Sequence, residues 1–277
     1  MKRLGVIGWP VAHSRSPAMF KAAFAELDMD DWVYQRLPVA PELFEQTARA
    51  LGVGGFVGAN VTIPHKQAAL ALADSASEAA RAIGAANTLS FGPQGTIEAE
   101  NTDAPGLLGA LALTGRSAEG MSALVLGAGG SARAAIWGLL HGGAREVSVW
   151  NRTPERASIL AAELGARAVE RPCPADLLVN CTSVGLQRSA TEADALNQLH
   201  LSVDLLGEYA YVIDLVYRDG PTPLLEAARR AGASTVDGLE VLLAQGALSF
   251  ERWTGRPAPL EAMRLGAGIG ATDIDAT

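Results

Sequence analysis

The chain has 277 residues, of which 49% are hydrophobic and 19% charged, with 30 glycines and 14 prolines. That length suits about two domains with full cores, and the composition excludes disordered and fibrous classes. Twenty-two basic side chains against 30 acidic ones leave a net charge of −8, which excludes a duplex-binding protein that works by neutralising phosphates. Any anionic ligand must be met by local charge, and only three of the cations are lysines: Lys2, Lys21 and Lys66.

Two cysteines, Cys173 and Cys181, make neither a disulfide framework nor a metal-ligand pair and read as small buried hydrophobes. No metal site is expected. The N-terminal MKRLGVIGWP is too short and too interrupted for a secretory segment, and no run reaches the length of a membrane span. A cytoplasmic protein with no nucleic-acid or membrane partner is expected.

Short β-type runs alternate with alanine-rich helical stretches, the pattern of an α/β protein with a largely parallel sheet. In chain order, strands are predicted over 4–8, 32–39, 54–62, 87–91 and 96–101, separated by helices over 16–27, 41–52, 65–74 and 77–84. The helix at 16 has start chemistry: Ser16 can accept from orphan backbone N–H groups, and Pro17 is pre-set for the first turn. The Ser16 hydroxyl is alternatively available to a ligand. A polar loop over 114–120 lies in a domain boundary expected between 103 and 121.

A second αβ block follows, with a strand opening SALVLGAGG (122–130), a helix through SARAAIWGLLHGG, and further strands over 145–153, 177–183, 211–217 and 234–237. The last segment, 238–255, is predicted helical with Leu239, Leu242, Leu243, Ala247 and Phe250 on one face. The fold class is therefore α/β: an N-terminal α/β domain with a mostly parallel sheet, plus a Rossmann-like domain. Residues 1–103, completed by 238–277, would form the first, and 104–237 the second.

In VLGAGGSARA, the run Gly127-Ala128-Gly129-Gly130-Ser131-Ala132 follows a strand and opens a helix, the setting of a dinucleotide-binding loop. Gly127 suits the tight turn, Gly129 lets backbone N–H groups approach a pyrophosphate, and Ala132 takes the helix-packing place. The helix N-terminus adds partial positive charge for the phosphates. At the next strand end stand Asn151, Arg152 and Thr153, with Arg156 one turn on, where an NAD site usually carries a carboxylate for the ribose 2′-OH. Guanidinium donors there suit a 2′-phosphate, so NADP is predicted over NAD. A solvated helix start capped by Thr153 would not explain the missing carboxylate.

Three stretches of the first half place polar groups at strand ends, where open α/β sheets bind ligands: HSRS (13–16), NVTIPHK (60–66) and ENTD (100–103). Reduction of a carbonyl needs a proton and a stabiliser for the developing oxyanion. Lys66 can supply both, since an ammonium, unlike a guanidinium, can hand over a proton, and Asp103 can hold it by a charge-assisted hydrogen bond. Ser14 and Ser16, two apart on one loop, form a workable fork for a carboxylate. His13 and His65 flank these loops without an acid or cysteine cluster that would make them catalytic or metal-binding.

These residues sit within a wider set: GWPVAHSRSPAMF (8–20), GANVTIPHK (58–66), IGAANTL (83–89), ENTD (100–103), GAGGSARA (127–134), NRTPERA (151–157), NCTSVGL (180–186) and DGLEVLLAQ (237–245). In these segments, and in their order along nearly the whole chain, the sequence resembles the shikimate dehydrogenase family, oxidoreductases that reduce 3-dehydroshikimate with NADPH on the path through chorismate to aromatic amino acids. The resemblance implies that Ser14 and Ser16 hydrogen-bond the substrate carboxylate, and that Thr62, Asn87, Asp103, Gln245 and Tyr217 meet the rest of the substrate. It implies Lys66 as catalytic acid/base with Asp103 as its partner. For the cofactor it implies the loop Gly127 to Ser131, the segment Asn151 to Arg156, and Leu215, Gly238 and Glu78.

The resemblance also places the active site in a cleft between the two domains, and is compatible with a homodimer. Two departures stand out: the family commonly has Asn where this chain has Trp9, and Gly where it has Ala104. Two rival readings follow. A quinate/shikimate dehydrogenase would act on a related polyol acid and often prefer NAD; Ser16, where a bulkier threonine would suit quinate, and Arg152 argue against it. A catalytically silent NADP sensor is the other, and retention of both Lys66 and Asp103 argues against that.

Overall fold

A computed structural model describes residues 1–187 and 189–270. In chain order the elements are β1 Lys2–Gly8, α1 Ser16–Glu26, β2 Trp32–Pro38, α2 Phe44–Val53, β3 Phe56–Val61, α3 Lys66–Leu72, β4 Ser75–Ala76, α4 Glu78–Ile83, β5 Thr88–Phe91, β6 Ile97–Glu100 and α5 Asp103–Ala112. Then come β7 Ser122–Leu126, α6 Gly130–His141, β8 Glu146–Trp150, α7 Pro154–Leu164, β9 Arg167–Ala168, β10 Leu177–Asn180, α8 Glu192–Leu199, α9 Val203–Leu206, β11 Tyr211–Asp214, α10 Pro223–Arg230 and β12 Ser234–Val236. The helices α11 Gly238–Thr254 and α12 Leu260–Ala267 follow. No helix of the described residues is long and apolar enough to cross a membrane.

The chain divides into two compact units. One comprises Met1–Gly106 together with residues 242–270 of the described chain, and the other Leu107–Val241, so both boundaries fall inside helices, α5 and α11. Residues 271–277, the end of the predicted C-terminal segment, lie outside the described residues.

The sheet of the first unit runs β2-β1-β3-β5-β6-β4. β1 is parallel to β2 and β3, and β4 to β6, whereas β5 lies antiparallel to both β3 and β6. The antiparallel excursion has a local cause: only the 3-10 turn Pro93–Gly95 joins β5 to β6, far too short for the crossover that parallel strands require. Ile7, Phe44, Val61, Leu89 and Ile97 fill the core on one side. Phe20 stacks on Tyr34 at 4.2 Å between ring centroids and meets Phe250 and Trp253, both at 6.0 Å. Of the predicted apolar face of α11, Leu239, Leu243, Ala247 and Phe250 are buried and Leu242 half-buried.

The second unit carries the sheet β12-β11-β10-β7-β8-β9, in which every pairing among the described residues is parallel. Its strands β7 and β10 read as near-continuous apolar runs, β8 carries Ser148 between its two valines, and all three are buried almost throughout, as both faces of a parallel sheet must be. Renumbered from β7, the order is that of the doubly wound dinucleotide fold, with the chain reversing direction across the sheet between β7 and β10. Neither Cys173 nor Cys181 is in a disulfide, and both are half-buried, where burial was expected.

Five helices, α5, α8, α9, α10 and α12, have no counterpart among the predicted elements. Three predicted strands also end three residues early, that over 145–153 at Trp150. Those predicted over 177–183 and 211–217 stop at Asn180 and Asp214, because each of these side chains accepts a hydrogen bond from a backbone N–H two residues on, at 3.0 and 3.1 Å, and turns the chain.

Candidate active site

In the first unit, a buried ion pair forms the centre of a polar cluster. Lys66 opens α3 and donates from Nζ to Asp103 Oδ2 at 2.6 Å, with only 12% and 17% of the two side chains exposed. The Lys66 carbonyl accepts from the Ala86 N–H at 2.8 Å, which fixes the start of the helix. Asp103 opens α5, and its aim is set by Asn101, whose Oδ1 accepts from the N–H groups of Asp103 at 3.0 Å and Ala104 at 3.2 Å. Asn101 in turn donates to the Ala85 carbonyl at 2.9 Å. An Asn cap followed by an acid in the first turn thus delivers the carboxylate.

Asn87, just before β5, joins this pair to the rest of the site. Its Nδ2 donates to Asp103 Oδ1 at 2.9 Å, Thr102 Oγ1 at 2.9 Å and Gln245 Oε1 at 3.0 Å. Its Oδ1 accepts from the Thr102 N–H at 2.7 Å. Gln245, from α11, donates to the Leu242 carbonyl at 2.8 Å. Behind these lie Thr88, Ser249 and Asn60, with Thr88 Oγ1 and Ser249 Oγ 2.9 Å apart and Asn60 Nδ2 donating to Ser249 at 2.9 Å. Of these, Ser249 lies outside every motif read from the sequence, whereas Asn60, Thr88 and Thr102 lie within such motifs but carried no assigned role.

Ser14 and Ser16 are both buried on the loop into α1, 4% and 3% exposed. The expected cap by Ser16 is not what forms: Arg15 takes the N-cap position, no side chain caps the helix, and Ser16 is the first helical residue, with Pro17 in the first turn as predicted. Instead, Ser14 Oγ accepts from the Ser16 N–H at 3.3 Å, so the two hydroxyl-bearing residues form one compact turn. Arg36 of β2 clamps this turn from behind, donating through Nε and Nη2 to the Ser14 carbonyl at 3.1 and 2.7 Å. The fork's own donors are neutral, and this guanidinium brings positive charge beside them.

Thr62 stands on the loop between β3 and α3, its N–H donating to the Ile7 carbonyl at 2.8 Å and its carbonyl accepting from His65 N–H at 3.0 Å. His65 is a structural residue: it stacks flat on Phe44 at 4.5 Å, its ring Nε2 lies 2.8 Å from the Val39 carbonyl, and burial holds its pKa below the usual value. His13 is exposed on its loop, and partial burial and then the Arg36 charge lower its pKa. Of the two departures, Trp9 is half exposed and Ala104 is fully buried. Glu78 opens α4 behind the N-cap Ser77.

In the second unit, the Gly-rich loop leaves β7 at its C-terminal end. Gly127 has φ of +110°, and a Cβ there would lie 3.2 Å from the Cys181 backbone, so only glycine makes this turn. Gly129 occupies the N-cap of α6, and a Cβ on it would meet nothing within 4 Å. The space above the helix N-terminus is open, as a bound pyrophosphate needs. Ala128 lies between the two glycines, and Gly130 and Ser131 begin α6.

Beyond β8, Asn151 donates to the Thr153 carbonyl at 2.9 Å. Thr153 is the N-cap of α7 by position but makes no side-chain cap bond, and Arg152, Thr153 and Arg156 are exposed. A cavity of about 640 Å³ opens at this end of the sheet, lined among others by Trp150, Asn151, Arg152, Thr182, Val184 and His200. Thr153 and Arg156 are outside that lining. Leu215 and Tyr217 are half-buried just after β11. Gly238 begins α11 so close to β11 that a Cβ would stand 2.7 Å from the Leu215 carbonyl and 2.8 Å from that of Asp214.

The two units thus present two chemistries. One holds an ammonium against a carboxylate in a nearly dry cluster of amides and hydroxyls, and carries a pair of buried serines on the loop into α1. The other offers a glycine turn, an open helix N-terminus and an arginine-rimmed cavity, a set that fits a phosphorylated dinucleotide.

Comparison with known proteins agrees along most of the chain. Models of the shikimate dehydrogenase substrate-binding domain match residues 6–89, of shikimate/quinate 5-dehydrogenase residues 110–185, and of the shikimate 5′-dehydrogenase C-terminal domain residues 238–264. The NADP(+) shikimate dehydrogenase of Methanopyrus kandleri is 44% identical over 276 residues, covering 94% of this chain and 93% of that one. That of Methylobacterium radiotolerans is 45% identical over 271 residues, covering 93% and 92%. Among solved structures, the Thermus thermophilus shikimate 5-dehydrogenase in complex with NADP(H) and shikimate superposes with a TM-score of 0.85 at 41% identity, covering 97% of this chain and 99% of that chain. On motif order, fold and identity alike, the chain belongs to the shikimate dehydrogenase family.

Proposed function

We propose that this chain is an NADP-dependent shikimate dehydrogenase, an oxidoreductase that reversibly reduces the ketone of 3-dehydroshikimate to the alcohol of shikimate on the way to chorismate and the aromatic amino acids. The observation that carries the reading is the Lys66–Asp103 pair at 2.6 Å, tied through Asn87 to Gln245. When bound, NADPH supplies the hydride. Lys66 donates the proton that the reduced oxygen needs, and its charge stabilises that oxygen as negative charge develops. Asp103 keeps the ammonium aimed, and Asn87 holds the other oxygen of the same carboxylate. In the reverse direction Lys66 takes the hydroxyl proton.

Ser14 and Ser16 donate to the substrate carboxylate, with the Arg36 guanidinium behind them. Asn87, Gln245, Thr62 and Tyr217 complete the substrate contacts. In the second unit the Gly127–Ser131 loop and the α6 N-terminus hold the pyrophosphate, and Asn151, Arg152, Thr153 and Arg156 favour a 2′-phosphate. Leu215, Gly238 and Glu78 belong to the same cofactor assignment. The first unit is then the substrate domain and the second the NADP domain.

The test is direct: purified protein mixed with shikimate and NADP+ should raise nicotinamide absorbance, and an inert mixture overturns the reading in favour of a silent binding module. Arg152 in the lining of the cavity favours NADP over NAD, and the same assay run with NAD+ and with quinate separates this enzyme from a quinate/shikimate dehydrogenase. A cytoplasmic location and a homodimer belong to the reading, with cell fractionation and light scattering as their tests.

A further inference from the structure

Strands β10 and β11 end on the same rung of their sheet, with Asn180 opposite Asp214. Asn180 Oδ1 accepts from the Thr182 N–H at 3.0 Å and the Thr182 hydroxyl at 2.8 Å, and Thr182 Oγ1 accepts from the Val184 N–H at 3.1 Å. Asp214 Oδ1 accepts from the Val216 N–H at 3.1 Å and also from Asn180 Nδ2 at 2.8 Å. Its second oxygen accepts the Thr222 hydroxyl at 2.6 Å, and Thr222 Oγ1 caps α10 by accepting from the Leu225 N–H at 3.3 Å. A single carboxyl group therefore ties together two loops that leave the sheet at its C-terminal edge, from Val184 at one end to Leu225 at the other.

Asp214 is completely buried. Burial pushes its carboxyl up to about 7 against the pull of its three hydrogen-bond donors, and the Asp237 charge adds to the rise. A buried ionisable group of this kind is costly compared with an apolar side chain, unless the network it completes is needed for itself. No step of the proposed chemistry uses it. Its two branches lead to functional ground: Thr182 and Val184 line the cavity beside Arg152, and the segment from Asp214 to Thr222 carries Leu215 and Tyr217.

We propose that Asp214 is a positioning residue for the dinucleotide, locking both loops of the cofactor rim in one geometry through Asn180 on one side and Thr222 on the other. It touches neither cofactor nor substrate. This inference rests on the NADP reading, and the experiment separates the two. Calorimetric titration with NADP+ gives a Kd for the parent, Asp214→Ala, Asp214→Asn, Thr222→Val and Thr222→Ser, with hydrogen exchange followed over residues 181–187 and 215–222.

Asp214→Ala and Thr222→Val should each weaken NADP+ binding about tenfold or more and speed exchange in both loops, because each leaves buried partners unsatisfied. Thr222→Ser, which keeps the hydroxyl, and Asp214→Asn, which keeps the Oδ1 contacts and can replace the Thr222 bond by donating to its Oγ1, should bind within about threefold of the parent. If Asp214→Ala fails to fold, the Thr222→Val and Thr222→Ser pair carries the test. A Thr222→Val protein that melts earlier yet binds NADP+ within about twofold of the parent has only a structural network, and overturns the inference. A parent that does not bind NADP+ overturns the cofactor reading as well.

Discussion

Lys66 and Asp103 are 37 residues apart in the chain and 2.6 Å apart in the fold, each the first residue of its own helix. Two helix starts pointing at one spot give an ammonium whose position is set before any ligand arrives. Replacing Lys66 by Ala should therefore lower kcat by about 10²–10³-fold or more, with KM for shikimate changing by about threefold at most. Steady-state kinetics with shikimate and NADP+ check this, and near-normal turnover would remove Lys66 from the reaction.

Asn87 makes four bonds to Asp103, Thr102 and Gln245. Asn87→Ala strips the buried Thr102 N–H of its partner, which should cost about 1–3 kcal/mol in urea unfolding. Because the same amide steers Asp103, kcat should fall as well. A variant that loses stability but turns over normally would make Asn87 structural alone.

Arg36 contributes charge from behind the serine fork. Arg36→Gln should raise KM for shikimate about three- to tenfold with little change in kcat, and should flatten the dependence of KM on ionic strength. Arg36→Lys, which keeps the charge but loses the two-pronged clamp on Ser14, should fall between. KM measured over a range of salt concentrations decides.

Arg152 lines the cavity at the end of β8, where a carboxylate would select NAD. Arg152→Ala should raise KM for NADP+ by about tenfold or more, the scale of a lost bond to a charged group, and leave KM for NAD+ nearly unchanged. Equal losses with both cofactors would exclude a contact to the 2′-phosphate.

Asp214 makes stability depend on pH in the direction opposite to an ordinary salt-bridged acid. Its folded pKa, about 7, lies above the unfolded value near 3.8, so between these limits the folded state binds the extra proton. Its contribution is full below the unfolded pKa and is lost as pH rises towards and through about 7, with a limiting slope of about 1.4 kcal/mol per pH unit. Asp214→Asn has no such proton. Urea unfolding at pH 5 and pH 7.5 should show the parent losing about 2 kcal/mol relative to Asp214→Asn over that span. A constant difference would show that Asp214 does not titrate there.

What could be read from residue order was whatever chemistry is local. The glycine turn at Gly127, the Ser14 and Ser16 fork and the NTD triplet each make their structure within a few residues, and the hydrophobic runs of β7 and β10 declare a sheet buried on both faces. What stayed hidden depends on pairing at a distance. Ser249 meets Asn60 across 189 residues and Asn87 meets Gln245 across 158, and no periodicity encodes such a meeting. Helix α5 went unassigned because residues 103–121 read as a domain boundary, although Asn101 followed by Asp103 is a start signal. The Ser16 cap failed for a related reason: the Ser14 hydroxyl, two residues earlier, reaches the Ser16 N–H, and the helix begins one residue sooner than a Ser16 cap requires.

The discontinuity of the first unit bears on how the protein is made. Asn60 and Thr88 find Ser249 only on α11, Trp253 of that helix donates to the Leu89 carbonyl at 3.1 Å, and Arg15 donates to the Ala267 carbonyl at 3.0 Å. On the ribosome, residues 1–106 emerge before α11, which supplies partners for some of their buried polar groups, whereas the second unit, 107–241, is contiguous. The unit that begins first is thus completed after the second has emerged: Lys66, Asp103 and Asn87 are together in its first part, and Gln245 joins Asn87 only with α11.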